Sequence, residues 1–251
     1  MIDPLSSFEI HTILPLNLFG LDISITNSSL FMIIATALVL MIMYVGTKSS
    51  HSLIPTKMQI IIEELFSITG GIVKTNVSQK GVEIFPYIFS MFMFIMFGNI
   101  LGLFPFAFSF TSQIIVTIGM SSLVFIASII IGLRTQGVHY FRHFCPEGIP
   151  SYIAPFFTII ELMSFLFRPI SLGVRLFANM VSGHIMIKVM ASFAVSIAGI
   201  AAFSYASMIP IIVNVFLNVF KLVVCILQAY VFVVISCIYL SESMEGSSVN
   251  H

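Results

Sequence analysis

Residues 84–133 carry no charged side chain, and that run constrains the fold of this chain more than any other feature. About 20 apolar residues cross a bilayer as a helix, so the run is long enough for two crossings. The segment Phe104-Pro-Phe-Ala-Phe-Ser-Phe-Thr-Ser112 breaks it near its middle. Spans are therefore predicted at about 84–103 and 113–133, joined by a tight connection. Residues 23–47 are also free of charge, and the stretch 29–46 reads as an earlier span. Two longer apolar stretches follow, 150–198 and 208–240, each too long for an upright crossing. They are expected to be tilted or kinked, with Pro169 placed to kink the first and Pro210 to start the second.

Between the first two spans, about residues 54–80, apolar Ile60, Ile61, Ile62, Leu65, Phe66 and Ile68 alternate with Lys57, Glu63, Glu64 and Lys74. This pattern predicts an amphipathic helix lying along the membrane interface, with an extramembrane helix on a soluble partner as the other reading. The fold class expected is an all-α integral membrane protein forming a single membrane domain over residues 1–251. It has about five membrane helices and one interfacial helix, and the last two membrane helices form a hairpin.

Composition narrows the function. Only 8% of the residues are charged and 59% are hydrophobic, against about 25% charged in a soluble domain. Acids and bases balance at ten each, so net charge favours no nucleic-acid partner. Cys225 and Cys237 lie in apolar runs and read as small packing residues, and Cys145 completes no paired spacing. No metal-type cluster, phosphate-cradling glycine loop or nucleophile elbow is present. The chain is expected to have no catalytic site, cofactor or metal of its own. The segment 1–27 holds Asp3, Glu9 and Asp22 and no Lys or Arg, unlike a secretory or transit leader. Either the chain is made where it inserts, or a leader was already removed. Lys48, Lys57, Lys74, Lys80, Arg134 and Arg142 all fall on one side of a five-span topology. The excess of bases on cytoplasmic or matrix loops predicts the N-terminus outside and the C-terminus inside.

Polar residues inside the two long stretches are the candidates for chemistry. Glu161, Arg168 and Arg175 are seven apart; seven residues are about two turns, so they share a face and rise roughly 10 Å at each step. Ser171 and Asn179, each four residues from Arg175, join that face. Asn214, Lys221 and Gln228 repeat the spacing on the last helix, flanked by Asn218. The two helices are joined within residues 199–209; a bend near Ala201 would put Arg175 and Gln228 at similar depth, and one nearer Pro210 would offset them by a few turns. Polar groups in hydrocarbon must face protein or water. Arg175 keeps its proton at any accessible pH, and burying it at bilayer depth costs about 2.5–3.5 kcal/mol. A permanent cation between the titratable Glu161 and His184 suits an interrupted aqueous path for an ion, with the guanidinium as its barrier. Taken alone, Arg175 also fits a structural charge, and Asn214 and Asn218 fit interhelical hydrogen bonds. Arg168 reads as a structural charge paired with Glu161. Lys188 reads as a snorkelling base.

Several segments resemble subunit a of the F-type ATP synthase. They are the stretch 27–32 (Asn-Ser-Ser-Leu-Phe-Met), the Asn99-Ile-Leu-Gly-Leu-Phe-Pro105 region, Ser171-Leu-Gly-Val-Arg-Leu-Phe-Ala-Asn-Met-Val-Ser-Gly-His184 and Leu227-Gln-Ala-Tyr-Val-Phe232. The block around Arg175 is the most specific. His184 and the Cys237-Ile-Tyr-Leu240 ending look more like mitochondrial and alphaproteobacterial members, since enteric ones carry Glu at the His184 position. The resemblance implies a stator beside a rotating ring of c subunits with mid-membrane carboxylates. Its partners would be that ring, b-type peripheral-stalk and other membrane subunits, and the bilayer. Arg175 would separate two offset half-channels, with Gln228 beside it, His184 and more weakly Asn99 in the entrance, and Glu161 in the exit. The location implied is the mitochondrial inner membrane or, alternatively, a bacterial plasma membrane. Lys221 departs from the pattern: mitochondrial-type members usually carry Glu there, as partner of the His, whereas Lys221 would repel a protonated His184. A secondary transporter or channel with a midplane polar site is the competing function, although no internal symmetry is visible. A purely structural subunit would leave the heptad-spaced polar residues unexplained.

Overall fold

A computed structural model describes residues 10–15, 17–18, 21–22, 24–48, 55–77, 81–104, 107–137, 154–199 and 208–245. Residues expected to bend near Ala201, the basic connection containing Arg142, and Lys80 lie outside that set. The chain begins with two short antiparallel ladders that the sequence did not suggest. β1 (Thr12–Leu14) pairs with β4 (Ile25–Thr26), and β2 (Asn17–Leu18) pairs with β3 (Leu21–Asp22). Thr26 then starts the first helix. Its Oγ1 accepts from Ser29 N at 3.3 Å, and Ser29 Oγ accepts from Thr26 N at 3.0 Å, a reciprocal cap for backbone groups that have no helical partner.

Six α-helices follow: α1 (Asn27–Lys48), α2 (Lys57–Asn76), α3 (Gly81–Leu101), α4 (Ile114–Gln136), α5 (Ala154–Ala198) and α6 (Met208–Glu245). Five of them, all but α2, are long and apolar enough to cross a membrane. A helix spanning the bilayer core satisfies every backbone hydrogen bond internally, which is why apolar runs of this length become helices. α4 ends at Gly137, whose φ of +60° is readily adopted by glycine and whose N–H bonds back to Leu133 O.

α3 and the C-terminal half of α6 form the centre. On α6 the buried positions Lys221, Cys225, Gln228, Ala229, Phe232, Val233, Ser236, Cys237 and Leu240 recur every three or four residues, one helical face. Of these, Ala229, Phe232, Val233, Cys237 and Leu240 join Ile88, Phe92, Met93 and Met96 of α3 in one apolar cluster, to which Ile72 and Val73 of α2 also belong. α2 turns this face inward and leaves Ile60, Ile61 and Phe66 exposed among its charges, a pattern suited to a membrane interface. Gly46 of α1 permits the approach of α2: a Cβ there would stand 2.1 Å from Ile62 Cδ1.

The connection between α3 and α4 is not a simple tight turn. Its described part, 107–112, folds back and is largely buried, with Phe110 in a 3-10 turn (Phe110–Ser112) packed against the Cα of Gly98. Phe94 and Phe110 ring centroids are 5.3 Å apart. Ser109 and Thr111 share a hydrogen bond of 3.2 Å, and Ser112 Oγ donates to Ser109 O. The aromatics gain by burial and the hydroxyls satisfy one another, so this polar segment can enter the bundle.

α5 has 45 residues and α6 has 38, about 68 and 57 Å at the helical rise, against a hydrocarbon core of about 30 Å. Both are longer than an upright crossing needs. α5 runs through Pro169 without ending.

Candidate functional site

The site is built where α5 and α6 run side by side. α5 is fastened to the bundle by Pro169, Leu172, Gly173, Leu176 and Met180, all buried at helical spacing. Gly173 makes the closest approach. A Cβ there would lie 3.0 Å from Ile118 Cα and Thr117 O of α4, and 2.8 Å from Ser121 Oγ. Two residues on are about 200° round a helix, so anchoring Gly173 to α4 turns Arg175 away from it. Arg175 is exposed, in a stripe with Ile170, Ser171, Val174, Ala178 and Ser182. A permanent cation thus sits in the middle of a long apolar helix, on a face of mixed small and branched side chains.

One turn beyond Arg175, Asn179 Nδ2 donates to Gln228 Oε1 at 2.7 Å. Gln228 is buried, and its Nε2 has no hydrogen-bond partner among the described residues. Gln228 is therefore level with Asn179, not with Arg175 as a bend near Ala201 suggested. The offset is one turn, about 6 Å. Continuing away from Arg175, Cys225 Sγ lies 3.7 Å from Met180 Sδ. Asn99 of α3, fully buried, directs Nδ2 at Cys225 O at a long 3.5 Å, while its Oδ1 has no hydrogen-bond partner among the described residues. Asn99 thus joins the α5–α6 site from a third helix.

Lys221 comes next, 6% exposed. Its stem crosses Gly183, where a Cβ would stand 3.0 Å from Lys221 Cε and 3.1 Å from Cδ. Glycine is what lets the lysine lie flat against α5. His184 is in electrostatic range of Lys221 and Lys188, so the structure brings the expected His184/Lys221 pair together. No carboxylate pairs with Lys221 among the described residues. Further along, a cavity of about 350 Å³ opens between the helices, with Ala191, Ala194 and Ala198 on one wall and Asn214 and Asn218 on the other. Asn218 Nδ2 donates to Asn214 O at 3.0 Å, and Asn214 Oδ1 is buried with no hydrogen-bond partner among the described residues.

On the other side of Arg175, the pairing expected between Arg168 and Glu161 is corrected. Arg168 forms its ion pair with Glu242 of α6. Glu161 is two turns along the same helix, about 10 Å away, whereas the antiparallel α6 brings Glu242 directly alongside. Glu161 itself lies partly exposed, further from Arg175. Glu242 and Tyr239 were not singled out in the sequence; Glu242 sits just past an apolar run, and only the register of two distant helices makes it a partner.

The polar groups therefore stand in order along one helix pair: Asn214 and Asn218, Lys221 with His184, Asn99, Gln228 with Asn179, Arg175, then Arg168 with Glu242, then Glu161. Ser171 is exposed on the same outward face as Arg175.

Comparison with known proteins matches this region and the rest of the chain. The family described as ATP synthase A chain covers residues 29–241. ATP synthase subunit a of Gluconobacter oxydans is 42% identical over 244 residues, 97% of each chain. That of Agrobacterium fabrum is 41% identical over 245 residues, covering 97% of this chain and 98% of the relative. That of Afipia carboxidovorans is 40% identical over 247 residues, covering 98% and 99%. These relatives are bacterial, so they lend no support to a mitochondrial location. With full-length relatives at this identity and a family match spanning all five apolar helices, the chain belongs to the ATP synthase A chain family.

Proposed function

We propose that this chain is the proton-translocating a subunit of an F-type ATP synthase, seated in a bacterial plasma membrane with its N-terminus outside and its C-terminus inside. The observation that carries the reading is Arg175: a permanent cation on an exposed face of a long helix, beside Ser171, Val174, Ala178 and Ser182, with no cover among the described residues. Such a face suits a ring of c subunits bearing carboxylates. A carboxylate brought before Arg175 is held ionised by the guanidinium. The same charge bars a proton from crossing directly between the two sides, so transfer requires the ring to turn.

The groups on either side of Arg175 divide into two half-channels. The entrance runs from the cavity at Asn214 past Lys221 and His184 to Asn99, Gln228 and Asn179. Buried amide atoms with no hydrogen-bond partner among the described residues at Asn214, Asn99 and Gln228 suit bridging water, which needs polar partners in a roomy site. The exit lies toward Glu161, with Ser171 near the ring face. Lys221 takes the position where an acid is expected; its buried side chain lies with its stem along Gly183. Peripheral-stalk and other membrane subunits would contact the remaining exposed faces of α1 and α2.

Replacing Arg175 by Ala tests the reading. Membranes carrying the Arg175→Ala complex should lose proton-driven ATP synthesis and ATP-driven proton pumping while the complex still assembles. Normal coupled synthesis by that variant would overturn it.

A further inference from the structure

Arg168 stands between Arg175 and Glu161 along α5, and its surroundings point to a task other than carrying protons. It directly precedes Pro169, which has no N–H to offer the carbonyl of Phe165, so the hydrogen-bond ladder of α5 is interrupted at that turn. Arg168 bridges the same turn to α6. Its guanidinium pairs with Glu242 and lies 5.3 Å from the ring centroid of Tyr239 and 5.8 Å from that of Phe165. Phe165 in turn packs on Phe125 of α4, with centroids 4.7 Å apart. A single side chain thus ties the weakest turn of α5 to α6 directly and to α4 through a ring. Arg175 stands two turns further on, and Tyr239 lies in the electrostatic field of Arg168, Glu242 and Arg175 together.

We propose that the Arg168–Glu242 ion pair is a positioning clamp: it holds α5 to α6 across the proline interruption and so sets the height and direction at which Arg175 faces the ring. The proposal rests on the proton-translocating reading above. Geometry favours a clamp over a simple counter-ion. The pair joins two different helices, it is only partly exposed, at 24% and 43%, and it is buttressed by rings on both helices. A planar guanidinium can stack and pair at once, which an ammonium does less well. Small displacements matter at such a site, since about 1 Å of misplacement can cost a reaction about 100-fold.

The test uses membranes carrying the whole complex, with every readout normalised to the amount assembled. Glu242→Gln and Arg168→Gln should each raise passive proton conductance and lower ATP-driven pumping by about three- to tenfold. The double reversal Arg168→Glu with Glu242→Arg should recover at least about half of the lost pumping, because it restores the tie in opposite polarity. A part that merely supports folding would lower assembly without raising the leak per complex. Wild-type coupling in the single variants would overturn the proposal. So would falling conductance that the reversal fails to restore, which would make Glu242 a proton carrier. Should the single variants fail to assemble, Glu242→Asp decides: an intermediate leak supports the clamp and wild-type coupling refutes it. Arg175→Ala run alongside separates the two readings. If it stays coupled, the proposed function fails; if it uncouples while the clamp variants do not, only the clamp fails.

Discussion

Asn179 of α5 and Gln228 of α6 are joined by a hydrogen bond of 2.7 Å, one helical turn from Arg175. This bond marks where the last helix stands against the arginine. Gln228 fills its acceptor with Asn179 and keeps its donor for something else, placed between the guanidinium and the buried Asn99.

Removing that glutamine should hurt transport more than folding. Interhelical hydrogen bonds in membranes are worth about 0.6 kcal/mol on average, so Gln228→Leu should leave assembly near normal. ATP-driven proton pumping, followed by fluorescence quenching in membrane vesicles, should fall by about half or more. An unchanged pumping rate would remove Gln228 from the path.

Gly183 faces a similar trial. A Cβ at 3.0 Å from Lys221 Cε must displace a flexible side chain, not backbone. Gly183→Ala should therefore fold, shift Lys221 and reduce pumping by about two- to fivefold. Combined with Lys221→Gln, the loss should be less than the product of the two, because both act through one side chain. Independent, multiplying effects would show that Gly183 and Lys221 are not coupled.

At Gly173 the obstacle is backbone on α4, with Ile118 Cα and Thr117 O both 3.0 Å from a Cβ. Neither can move without moving its helix. Gly173→Ala should cost about 1–3 kcal/mol through overpacking and lower the melting temperature of the detergent-solubilised complex. An unchanged melting temperature would mean that α5 is free to shift away from α4.

Lys221 carries a buried charge with no carboxylate partner among the described residues. Exchanging such a group for an apolar one of similar length is often neutral or stabilising. Lys221→Met should keep or raise thermal stability while lowering proton pumping. Loss of both together would mark the lysine as a structural tie.

How much of this was legible beforehand depends on how local each property is. The crossings followed from uninterrupted apolar runs, and α1, α3 and α4 needed nothing else. Arg175 stood out because a charge at membrane depth is costly wherever its helix packs. The 107–112 plug was hidden because its aromatics and hydroxyls read as a turn; burial depended on Gly98 leaving room for Phe110 and on Ser109 meeting Thr111. Glu242 was missed for the same reason: a carboxylate past the end of an apolar run is ordinarily solvated.

By itself, the sequence determined the membrane-helical class, the two overlong helices, Arg175 midway along the first of them and the set of polar residues that accompany it. These are properties of hydrophobic length, helical period and the cost of a buried charge, all written within a turn or two of chain. The tertiary structure alone decided which residues meet: Gln228 with Asn179 one turn from Arg175, Lys221 with Gly183, Arg168 with Glu242 and not with Glu161. Those pairings depend on the register of two long antiparallel helices. That register is set by close contacts such as Gly173 on α4 and by the interruption at Pro169, and no local pattern encodes it.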